Sequence, residues 1–343
     1  MLIAAWLIRW SGLVALAGLV GGFVVDLLVL PAGARPMAVA RRRLRALRIG
    51  CTVLLLVVTV GEWWLRATTM SGGGLGTAVR AMPVVLTRTH FGTVWIGRAA
   101  ALLALLALSS ASRPGWQRLG ALAALGVALS VSLTGHASDW GDLAPTAGID
   151  WVHVVAATTW TGGLFVLVVV VVREARRWPV SLLAEIMRRF SRLAAWCLLT
   201  VVLSGAYASW VQVGGLTALG QTVYGRALIA KVLLVLGLAW WGAVNRYTVL
   251  PRLPAGRSGA LERLFGRGRA VLLGAAEIPP GSAPSRLAVY LAREMVLALL
   301  VFACTAILTE STPARHAHHL RERAPMGEHA GPAIAGVRAP VSR

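Results

Sequence analysis

The sequence predicts an all-α polytopic membrane bundle of about eight transmembrane helices with both termini outside, and three observations lead there. Of 343 residues, 57% are hydrophobic and only 14% charged, and the mean hydropathy is +0.72, well outside the composition of a soluble domain. The apolar residues gather into runs near the roughly 20 residues that carry an α-helix across a bilayer. The alternation of a transmembrane β-barrel is absent, and helices and closed barrels are the two structures that satisfy their own backbone in lipid.

The first run, near 4–30, is longer than the apolar stretch of a signal peptide. It ends in Asp26 rather than a small-residue cleavage site and is followed by further spans, so it reads as a retained helix. Further helices are expected near 47–66, 94–111, 118–135, 149–172, 193–212, 227–246 and 288–308. Residues 311–343 are rich in Pro, Ala, Gly, Arg and His without apolar periodicity, and read as a disordered tail on a membrane domain of residues 1–310.

Charge orients the bundle. The formal net charge of +21 does not indicate nucleic acid, because the arginines fall between the apolar runs, where a membrane protein keeps its topological charges. Arg35, Arg41, Arg42, Arg43, Arg45 and Arg48 precede the second run; Arg173, Arg176, Arg177, Arg188, Arg189 and Arg192 lie between the fifth and sixth. Both segments, and the arginine-dotted stretch 247–287, are cytoplasmic by the positive-inside rule. Segments 136–149 and 213–225 hold no Lys or Arg, and 67–92 holds only Arg80 and Arg88, so these are outer loops.

That orientation puts His90, His136 and His153, every histidine before the tail, near the outer ends of helices. One histidine at a helix end is ordinarily an interfacial residue. Three at one depth, with none elsewhere in the spans, point to a shared ligand set, since ionisable groups at membrane depth usually face a functional interior. Asp150, one turn before His153, is placed either to orient its imidazole or to cap the helix. Trp160 falls on the His153 face, and Gly162 and Gly163 suit close helix packing. The single lysine, Lys231, stands against 33 arginines; it either snorkels to the outer interface or lines a polar outer pocket. Cys51, Cys197 and Cys304 lie within apolar runs with no CxxC, so neither a disulfide framework nor a zinc knuckle is indicated.

Four blocks, "LTGHA" at 133–137, "DWVHVVAATTWTGGL" at 150–164, "FSRLAAWCLLTVVLSG" at 190–205 and "TVYGRALIAKVLLVLGLAWWGAVNR" at 222–246, occur in order and together resemble the copper resistance D (CopD/PcoD/YcnJ-like) family of bacterial inner-membrane proteins. The resemblance implies a transporter of copper rather than an enzyme, taking up the ion from a separate periplasmic CopC-type chaperone. Histidine suits that cargo: imidazole binds copper in either oxidation state and enters lipid without a charge to desolvate. His90, His136 and His153 are then the candidate metal residues, with Asp150, Trp160 and Lys231 behind them. Met70 and Met82 in the outer 67–92 loop, and His316, His318 and His319 in the tail, are further sulfur and imidazole donors.

A second reading uses the same residues differently. Histidines on separate helices ligate haem b as well as copper, and the resemblance extends to the haem-dependent protoporphyrinogen oxidase family, which would make His153 and Lys231 a ligand pair. No GxxxxGK[ST] loop or DKTGT-like phosphorylation motif is present, so direct use of ATP is not indicated. Asp26 and Glu62 are the candidates for proton coupling, or simply reach the headgroups.

Overall fold

A computed structural model describes residues 2–31, 37–109, 114–135, 141–142, 144–175, 178–213, 216–249 and 283–311, and among these the regular structure is entirely helical. Helix α1 (Leu2–Val24) runs on through a π turn, Val25–Val29. Then come α2 (Met37–Met70), α3 (Leu75–Arg88), α4 (His90–Ser109) and α5 (Pro114–Ser132). Helix α6 (Pro145–Val166) continues through a π turn, Leu167–Val171, into the single turn α7 (Val172–Ala175). Helices α8 (Val180–Val213), α9 (Leu216–Gln221), α10 (Val223–Val244, with a π turn Asn245–Val249) and α11 (Ala283–Thr309) complete the described chain.

Among the described residues, seven helices are long and apolar enough to cross a membrane: α1, α2, α4, α6, α8, α10 and α11. The remaining expected span, the fourth, near 118–135, is α5, which is 19 residues long and packs against α1, α4 and α6. Its opening Gly115, Trp116, Gln117 and Arg118 leave it a shorter uninterrupted apolar stretch, from Leu119 onward.

Two expectations about loops need correction. The arginine-bearing segments 37–48 and 180–192 are the first turns of α2 and α8, each 34 residues long. At 1.5 Å per residue such helices span about 50 Å, so they project well beyond a hydrocarbon core of about 30 Å. Most of the outer 67–92 segment is helical too. It comprises the end of α2, a turn in which Gly72 and Gly73 adopt φ of 76° and 98°, and α3, whose sequence LGTAVRAMPVVLTR sets apolar residues at helical spacing around Pro83.

Helix α1 is the central post, buried almost continuously from Leu13 to Phe23 and touching α2, α5, α6 and α11. Small residues make that possible. A Cβ on Gly21 would strike the Gly162 backbone, and one on Gly162 would strike the carbonyl of Ala17; α1 and α6 therefore meet backbone to backbone. Gly163 is closed off by the Phe190 ring of α8.

Ion pairs fasten both ends. At the arginine-rich end Asp26 accepts from Arg41 at 3.3 Å and Arg48 at 3.0 Å, and Arg43 pairs with Glu174 at 2.9 Å. At the opposite end Glu62 accepts from Arg9 at 3.1 Å and Arg98 at 2.5 Å, and Arg98 also donates to Ser130 and Thr134. Arg9 lies 4.0 Å from Glu310, so the start of α1 and the end of α11 share one end of the bundle. Asp26 and Glu62 are thus committed to arginines inside the protein rather than reaching for the headgroups.

Candidate functional site

His153 lies in the third turn of α6, half-buried against α8. Its Nδ1 is 2.9 Å from Ser204 Oγ, and the Ser204 hydroxyl donates to the Thr200 carbonyl at 2.5 Å. With its own proton given away, Ser204 accepts from the ring, which fixes the Nδ1–H tautomer and leaves the Nε2 lone pair for a ligand. Metal-binding histidines are characteristically held in this way, by a hydrogen bond at the other ring nitrogen. Gly205 provides the room: a Cβ there would stand 3.3 Å from His153 Cε1.

Lys231 of α10 is half-buried within electrostatic reach of His153, Asp150 and Cys304, and Asp150 also neighbours Ser132 and Tyr224. Tyr224 hydrogen-bonds Gln212 across the α8–α10 gap. The lysine thus faces an acidic partner inside the bundle. Asp150 does not orient the His153 ring, a role Ser204 takes, and it is not a helix cap, since α6 begins at Pro145, with Ala144 in the N-cap position. Trp160, two turns beyond His153, is 6% exposed and forms part of the wall of a different cavity, nearer the arginine-rich end.

His90 begins α4 and is half-exposed, with Nε2 3.2 Å from the Leu133 carbonyl and 3.3 Å from Asp142 Oδ1; Nδ1 is the ring nitrogen left over. It stands on the wall of a cavity of about 910 Å³ with Arg9, Glu62, Met70 and Glu310. The structure therefore sets His90 at a wide vestibule, at the end of the bundle opposite the Asp26–Arg48 pair, and His153 between α6 and α8, in separate surroundings. Among the described residues no three His, Cys, Asp or Glu side chains are grouped to hold a metal ion. His136 and the tail histidines lie outside the described residues. Ser204, Arg9 and Arg98 escaped the sequence reading, because a serine 51 positions from its histidine, or an arginine 36 or 53 from its glutamate, carries no local signal.

Two family descriptions match the chain: "Copper resistance protein D-like, N-terminal domain" over residues 1–144 and "Copper resistance protein D" over residues 184–308. The chain belongs to the copper resistance protein D family. A relative carrying the name copper transport protein CutJ, from Bacillus subtilis (strain 168), is 27% identical over 257 residues, covering 71% of this chain and 48% of CutJ. The chain thus spans about half the length of that relative. No solved structure matches. The two family matches join the vestibule helices α1–α5 to the half built from α8, α10 and α11, and α6, which bears His153, lies between them.

Proposed function

We propose that this copper resistance protein D family member is a transporter, not an enzyme, that takes up copper from the outer face of a bacterial inner membrane, with His153 as the ligand inside the bundle. The observation that carries this reading is the His153–Ser204 pair, which leaves Nε2 free on a membrane-spanning helix of a copper family protein. His90 at the vestibule and His136 in the neighbouring segment are the outer ligands that hand the ion inward, and a CopC-type periplasmic protein is the donor the family implies. Copper is cargo here, so exchange between few ligands serves better than a closed site of four.

Copper titration of the purified chain against a competing chelator tests this. Replacing His153 with alanine is expected to weaken binding by about 10–100-fold, and Ser204→Ala by a smaller factor through loss of ring orientation. Unchanged affinity in His153→Ala, or a Soret absorption band from haem in the wild-type protein, would contradict the assignment.

A further inference from the structure

A second cavity, of about 290 Å³, opens toward the arginine-rich end between α8, α10 and α11, with Trp160, Phe190, Asn245, Arg246 and Glu294 in its wall. Glu294 is 3% exposed on the membrane-spanning α11, and Oε1 accepts one long hydrogen bond, from Asn245 Nδ2 at 3.5 Å. Asn245 is 7% exposed, and its Oδ1 is buried with no hydrogen-bond partner.

This carboxyl differs from those at the bundle's ends. Asp26, Glu62 and Glu174 each touch an arginine, whereas no cationic atom lies within 4 Å of Glu294 among the described residues. Arg246 shares the cavity wall but gives its guanidinium to the carbonyl and hydroxyl of Ser191, at 2.9 and 3.2 Å. Arg293, on the same helix as Glu294, stacks over Trp241. The other titratable group in the wall is the Tyr247 phenol; α6 and α8 contribute Trp160, Met187, Phe190 and Ser191. An unpaired carboxylate at membrane depth is costly. A proton removes both defects at once: the acid O–H donates to Asn245 Oδ1 while Asn245 Nδ2 donates to the other carboxyl oxygen.

We infer that Glu294 and Asn245 form a proton-binding site, at which the carboxylate takes up a proton from water at the arginine-rich side and releases it there, with no other bond made or broken. It gives the chain a buried group whose charge follows the pH at that side, which Asp26 and Glu62, held by arginines, are too firmly paired to do.

Infrared spectroscopy of the full chain in lipid vesicles, without copper, reads this directly and independently of the histidine site. The expected result is a protonated-carboxyl C=O band that disappears as pH is raised, shifts in D₂O and is lost in Glu294→Gln, whose amide matches the shape of the acid. In Asn245→Ala the band shifts, because the acid loses its partner; this second variant carries the test should Glu294→Gln fail to accumulate. A carboxyl band identical in the wild type and Glu294→Gln at every pH, or unmoved in Asn245→Ala, overturns the proposal.

Discussion

His153 and Lys231 show how a polar side chain is made tolerable between membrane-spanning helices. The imidazole is held by the Ser204 oxygen and the Val201 backbone, while the lysine lies within reach of Asp150. If the Asp150–Lys231 attraction is structural, Lys231→Met leaves the carboxylate without its cation and destabilises by about 1–3 kcal/mol, below the cost of breaking a fully buried pair. Asp150→Asn combined with Lys231→Met then recovers most of that loss, and Lys231→Arg preserves the attraction. Thermal unfolding of Asp150→Asn, Lys231→Met and the double variant in detergent checks this as a double-mutant cycle, with Lys231→Arg measured alongside. A lysine that merely snorkelled would show no coupling. Lys231 stood out in the sequence as the single lysine; that its partner is Asp150 did not, because the two lie on helices joined only in the fold.

Between elements, the α1–α6 contact decides whether the bundle closes. Gly162→Leu drives a side chain into the Ala17 carbonyl, and the expected cost is about 3 kcal/mol or more, since backbone on both sides cannot yield. Gly97→Ala on α4 meets nothing within 4 Å and should be neutral or stabilising by up to about 1 kcal/mol through helix propensity. Folded yield on size-exclusion chromatography separates the two outcomes, and equal yields would refute the close-packing argument. The glycines at 162 and 163 were readable as a packing face, but the partner Gly21 was not. Helix α3 was missed for a related reason: its 14 residues are too short for a span and contain Pro83, so hydropathy marked only a loop. The spans themselves were legible because lipid imposes both length and apolarity, whereas the pairings of Glu62 and Glu294 depend on which helices become neighbours.

Over the whole molecule, arginine distribution and ion pairing agree on a two-ended bundle. The Arg9–Glu62–Arg98 network and the vestibule lie at one end, and the Asp26–Arg48 pair lies at the other. With Cys51, Cys197 and Cys304 replaced by alanine, a cysteine at Asp142 should react with an impermeant reagent from the outer compartment. One at Glu185, near the start of α8, should react only after the membrane is disrupted; the reverse pattern would invert the orientation. The same asymmetry directs the proposed path from the vestibule past His90 to His153. Copper uptake into vesicles reconstituted with the outer face outward, comparing wild type with a folded His153→Ala variant, tests that path most directly. A loss of about 10-fold or more in the variant is the expected result, and uptake equal to wild type would contradict the account.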